Sequence, residues 1–166
     1  MKQDMPRFPG NVSSAVARLT GILLFLVMMM QGCGESASES AAPAFAIEKE
    51  YTRGPVTFRV RADQQELTIA DRLTLELETE SDEGYDAALP AFGEKLDQFG
   101  IVDYSAPPPE LSAENRIIQK KKYILEPFLS GEYRIQPMTV TFEKKDGSGT
   151  PHEIESEEIR ITVTSL

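Results

Sequence analysis

From residue 55 onward the chain alternates between apolar and polar positions. Val56, Phe58 and Val60 are separated by Thr57, Arg59 and Arg61, and Leu73, Leu75 and Leu77 by Thr74, Glu76 and Glu78. A period of two puts one set of side chains on each face of an extended segment, so both stretches predict half-buried strands. If they pair, Arg59 and Arg61 lie opposite the glutamates on the solvent face, where each cross-strand pair contributes about 0.2–1 kcal/mol. Leu67 and Ile69, in the polar connection between them, predict a short edge segment. Further strands are expected at Gly100-Ile101-Val102-Asp103-Tyr104, over 116–125, from Gly131-Glu132-Tyr133 through Met138, Val140 and Phe142, and at Ile159, Ile161 and Val163.

The punctuation between these runs is of the turn-forming kind. Ser81-Asp82-Glu83-Gly84 and Asp146-Gly147-Ser148-Gly149 read as tight turns. Leu89-Pro90 makes its region an edge or loop, because proline cannot donate to a ladder, and Glu94 to Phe99 predicts a helical turn. Pro107, Pro108 and Pro109 demand an extended piece outside any central strand. They read as a stiff loop, with docking on a partner's aromatic groove as the alternative. Lys120, Lys121 and Lys122 read as charges that blunt an exposed strand edge, with an acidic partner patch as the sharper possibility. Tyr133, just after the corner glycine Gly131, matches the tyrosine corner of sandwich domains, which assigns it a structural rather than a catalytic role. Together these features predict an all-β fold, an immunoglobulin-like antiparallel β-sandwich of about seven strands over 55–166.

The first third of the chain has a different pattern. Ten apolar residues, Gly21 to Met30, are too few to cross a hydrocarbon core in a helix, which takes about 20. Preceded by Lys2, Arg7 and Arg18 against a single acid, Asp4, they read as the core of an export signal spanning 1–32. Small Gly32 precedes Cys33, the one cysteine in the chain. The segment resembles a bacterial lipoprotein signal, which implies that Cys33 is lipidated and becomes the mature N-terminus. Met30 stands where leucine is usual, and Gln31 is bulkier than the usual alanine or serine. An ordinary secretory signal cut near 37–42 and an uncleaved anchor are the alternatives. Several acyl chains would anchor stably where one is marginal. From Gly34 the chain is small and polar, a linker taken to residue 54, giving a lipidated N-terminus and tether over 33–54. As a flexible coil its reach is on the order of 25 Å.

Charge narrows the partners. Residues 1–32 hold three of the 17 basic and one of the 27 acidic residues, leaving 14 against 26, a net charge near −12. That balance argues against nucleic acid, which requires a basic surface. It also makes lipid, through acylated Cys33, the link to a bilayer.

Candidate chemistry is sparse. His152 is the sole histidine, so neither a zinc set nor a Ser-His-Asp arrangement has more than this one residue to draw on, and no Gly-x-Ser-x-Gly elbow surrounds any serine. Adjacent acids such as Asp82 with Glu83, or Glu157 with Glu158, point apart on an extended chain and read as solvation. Asp82, Glu83, Asp86 and Asp103 would make a calcium site if sandwich loops brought them together, although the ordered Asp-x-Asp-x-Asp-Gly loop is missing. No catalytic residue, cofactor or metal site is therefore assigned.

One stretch carries a family likeness. Over 123–142, Tyr-Ile-Leu-Glu-Pro-Phe-Leu-Ser-Gly-Glu-Tyr-Arg-Ile-Gln-Pro-Met-Thr-Val-Thr-Phe resembles the BatD family of bacterial oxygen-tolerance proteins. The family's immunoglobulin-like repeats contain a strand, a Gly-x-Tyr or Gly-x-Phe corner and an Ile-x-Pro step. Glu66-Leu67-Thr68-Ile69-Ala70-Asp71 and Leu89-Pro90-x-Phe92 are similar as well. The likeness implies a non-catalytic protein of the bacterial envelope, facing the periplasm or exterior and associated with von Willebrand A-domain proteins and a MoxR-type ATPase. The chain departs from the family pattern in having one repeat and a lipid anchor in place of a downstream transmembrane helix. The expected activity is binding to another envelope protein, with a small-ligand, ion or glycan binding module as the alternative.

Overall fold

The computed structural model describes residues 45–166, which fold as a β-sandwich without helix. Cys33 and the segment 1–32 lie outside the described residues. The strands are β1 (Ile47–Arg53), β2 (Val56–Ala62), β3 (Glu66–Thr68), β4 (Leu73–Ser81), β5 (Tyr85–Ala88), β6 (Lys95–Leu96) and β7 (Phe99–Ser105). They continue as β8 (Glu110–Leu111), β9 (Ile117–Glu126), β10 (Gly131–Ile135), β11 (Thr139–Lys144), β12 (His152–Glu155) and β13 (Ile159–Thr164). The larger layer runs β1-β2-β4-β9-β7-β6, with β8 also on β9; against it lie β10-β13-β3 and β12-β11-β5. All neighbours are antiparallel except β3 and β13.

The core follows from the alternation. Val56, Phe58, Val60 and Ala62 of β2, and Leu73, Leu75 and Leu77 of β4, are fully buried. They join Ile135, Val140, Phe142, Ile154, Ile161 and Val163 of the facing layer in one apolar cluster. The expected pairing of the first two alternating strands is present as β2 on β4, with Arg59 opposite Glu78 and Arg61 opposite Glu76.

Four expectations need correction. The linker does not extend to residue 54, because β1 occupies Ile47–Arg53. Its inward positions are Ile47, Lys49 and Tyr51, and the lysine in the middle hides the period. Gly54-Pro55 closes the hairpin to β2, with Gly54 at φ +58°, the order of a type II′ turn. Glu94 to Phe99 is not helical. Lys95–Leu96 folds back on Phe99 and Gly100 with Asp97 at φ +52°, since so short a segment cannot repay helix nucleation.

The third correction concerns Lys120, Lys121 and Lys122. Only Lys122 lies between two strands, β4 and β7. Residues 119–121 fall between the pairings of β7 and β8, so Lys120 and Lys121 have β4 on one side and no strand on the other among the described residues, in a gap within the layer and not on an outer edge strand. The strand count is also higher than seven, at thirteen segments among the described residues. The additional ones, such as β6, β8 and β12, are two to four residues long, too short to display a period.

Candidate functional site

Charged side chains of the larger layer form a ladder on its outer face. The register aligns Glu48, Arg61, Glu76 and Lys122 in one row across β1, β2, β4 and β9, and Glu50, Arg59, Glu78 and Lys120 in the next. Arg59 lies 2.7 Å from Glu50, 2.8 Å from Glu78 and 2.9 Å from Glu80. Arg61 lies 3.0 Å from Glu48, 2.6 Å from Glu76 and 3.2 Å from Glu78. Glu78 is the centre, its side chain only 7% exposed, with Lys120 at 3.7 Å as a third cation. Burial pushes the Glu78 carboxyl up, but hydrogen bonds from Arg61 and Arg59 outweigh it and hold the group below its ordinary value. These charges neutralise one another and leave little to offer a ligand.

Lys121 faces the other way. It pairs with Leu77 on the core side of the layer, and its Nζ donates to the carbonyls of Leu89 and Pro90 at 3.1 and 3.0 Å. Burial lowers its pKa. Phe92 packs edge-on against Tyr123, 5.2 Å between ring centres. The Leu89-Pro90-x-Phe92 segment is thus clamped to β9 by one ammonium and one ring contact.

Tyr133 forms the predicted corner. Its hydroxyl accepts from the amides of Phe128 and Leu129 at 3.1 and 3.0 Å and donates to the Leu129 carbonyl at 2.8 Å. The ring packs on Phe99, 4.6 Å between centres. Gly131, at φ +146°, makes the bend that a side chain would strain. The loop it holds presents Phe128 and Leu129 to solvent. The Phe128 ring lies over Gly100, where a Cβ would come within 2.8 Å of it.

The acidic loop residues do not converge. Asp82 sits 3.3 Å from Arg116, Asp86 sits 3.9 Å from Lys145, and Asp103 accepts from the amide of Tyr104. Among the described residues no three His, Cys, Asp or Glu side chains gather as a metal would require. Glu157 and Glu158 are engaged separately, with Lys49 at 2.7 Å and Arg160 at 3.0 Å. The three prolines lie in an exposed loop between β7 and β8.

Two features were not anticipated from the sequence. The first is the edge of β7. Beyond the short pairing with β6 at Phe99 and Gly100, residues 102–105 have β9 on one side and no strand on the other among the described residues. Val102 and Tyr104 are exposed there, 41% and 55%, and a bulge lies between Ile101 and Asp103. The second is a cleft of about 490 Å³ at the end of the sandwich where the β1–β2 hairpin meets β5, β11 and β12. Arg53, Lys144 and His152 line it with Tyr85 and Phe142, and no acidic side chain does. The signal for both lay in strand ends and register, which single-strand periodicity does not supply.

No protein-family model, curated protein or solved structure matches the chain.

Proposed function

We propose that the chain is a non-catalytic, lipid-anchored module of the bacterial envelope that binds another envelope protein along the open edge of β7. The observation that carries this reading is the outer side of 102–105, which no strand covers among the described residues and where Val102 and Tyr104 are exposed. The one backbone amide there that is engaged, that of Tyr104, is held only by the exposed Asp103 carboxylate. An extended segment of a partner can add to such an edge, its main chain supplying hydrogen bonds and its alternate side chains specificity. The rigid support behind the edge, with β9 central in the layer and Tyr133 fixing the corner, fits a binding surface. Anchoring through acylated Cys33, and a von Willebrand A-domain protein or MoxR-linked membrane partner, follow from the sequence resemblances.

The test is crosslinking in intact cells with the native anchor, followed by mass spectrometry, against Cys33→Ala and Val102→Lys. A lysine at Val102 places a charge on the edge and blocks strand addition. The reading expects a specific envelope protein that is lost in both variants. Recovery of the same protein from Val102→Lys would remove the edge from consideration, and no specific protein in the native sample would overturn the adaptor role.

A further inference from the structure

The geometry points to the end cleft as a binding site for a carboxylate carried next to a flat apolar group. The argument is one of register. On β11, Val140 and Phe142 are buried, and the next residue on that face is Lys144, opposite Tyr85 of β5. On β12, Ile154 is buried, and two residues earlier the same face carries His152, opposite Phe142. On β1, Ile47 and Tyr51 turn inward, and Arg53 continues their face opposite buried Val56. Three strands from both layers therefore place a basic residue where their period calls for core.

These groups lack the close ion pairs that hold Arg59 and Arg61 in the ladder. The acidic group they influence is Asp146 of the following turn, whose carboxyl is kept below its ordinary value by hydrogen bonds from Ser148 and, less strongly, by the Lys144 charge. Arg53 spends one N–H on the Glu153 carbonyl, at 2.6 Å, and neither it, Lys144 nor His152 has a carboxylate partner there. In a chain with 27 acidic residues against 17 basic ones, a wall that holds an arginine, a lysine and a histidine and no acidic side chain is a local reversal of charge. The remaining walls define the rest of the ligand. Tyr85, Phe142 and His152 form a row of rings, 6.5 and 5.4 Å between successive centres. The glycine-containing loop 148–150 completes the lining. A guanidinium and an ammonium suit a carboxylate, and the rings suit a planar group. The site stands apart from the β7 edge and does not depend on it. It lies at the far end of β1 from residue 45, where the described chain begins.

The chemistry has two natural sources, a free aromatic acid or the C-terminal carboxylate of a polypeptide ending in an aromatic residue. Because His152 is the sole histidine, its ring protons report on the cleft alone in the full chain held in detergent micelles and purified without a histidine tag. The probes are N-acetylphenylalanine, its amide, and a glycine tetrapeptide extended by a C-terminal phenylalanine. Saturable movement of the His152 resonances at millimolar N-acetylphenylalanine is expected. The amide should bind at least fivefold more weakly, and added salt should weaken the acid. Lys144→Ala and Arg53→Ala should each reduce affinity at least threefold while the melting temperature stays within a few degrees. Tighter binding of the pentapeptide would assign the ligand to a protein terminus, and equal or weaker binding to a free acid. No saturable response, equal binding of the amide, or unchanged affinity in both variants would overturn the site.

Discussion

The outer ladder of the large layer and the end cleft are built from the same basic residue types with opposite outcomes. In the ladder, Arg59 and Arg61 each meet three carboxylates within 3.2 Å, so their charge is absorbed by the fold. In the cleft, Arg53, Lys144 and His152 share a wall with rings and no acid. A count of basic residues would not separate the two regions; the cross-strand register does. Cations opposite glutamates hold strands together, whereas cations that replace core residues at a strand's end remain available.

The largest test of this contrast is the double substitution Arg59→Ala/Arg61→Ala. It leaves Glu78, largely withdrawn from water, facing only Lys120 at 3.7 Å. Removing the partners of a buried charge costs on the order of 3 kcal/mol, to be read from urea unfolding. A loss under about 1 kcal/mol would reduce the ladder to ordinary surface pairs and dissolve the distinction. Tyr133→Phe should cost about 1–2 kcal/mol in the same measurement, since it strands the Phe128 and Leu129 amides and a carbonyl. That value calibrates what a fully satisfied polar group contributes here without ionic charge.

Acid should weaken the ladder selectively. Glu78 has a lowered folded-state pKa, so its contribution is present above the ordinary glutamate value of about 4.3 and is lost as pH falls through the lower folded value. Urea midpoints at pH 7 and at about pH 3 should therefore converge more for Glu78→Gln than for the native chain. Equal pH dependence would place the acid sensitivity elsewhere. The smallest effect belongs to the cleft, where Lys144→Ala should change stability by no more than about 0.5 kcal/mol. A large destabilisation would show that Lys144 serves the fold after all.

Much of the architecture was legible because burial on one face imposes a period of two. Val56 to Val60 and Leu73 to Leu77 declared themselves strands, and Arg59 and Arg61 found the glutamates foreseen for them. Tyr133 was legible because a tyrosine after a corner glycine has a specific backbone task. Strand β1 was not, since Lys49 occupies an inward position and reaches out to Glu157 along its own stem. The lysines of β9 were legible only in part. Lys120 and Lys121 do lie where β9 lacks a neighbour, between the pairings of β7 and β8, but β4 supplies Glu78 and Glu76 opposite Lys120 and Lys122, while Lys121 turns inward to two carbonyls. Neither the cleft nor the open part of β7 can be seen in one segment, because each depends on which strands become neighbours.

The single parallel pair has a kinetic consequence. Thr162 of β13 pairs with Glu66 of β3, 96 positions earlier, and the same strand pairs antiparallel with β10. Closing a loop of that length costs about 4 kcal/mol in chain entropy beyond a constant term, and β3, with three residues, offers little in return until the core beneath it has assembled. The hairpins β1–β2 and β11–β12 can form early from nearby residues, but β3 has no lasting place before β13 arrives. Its docking is therefore a late event, and slow folding of the kind seen in domains rich in distant pairings is expected.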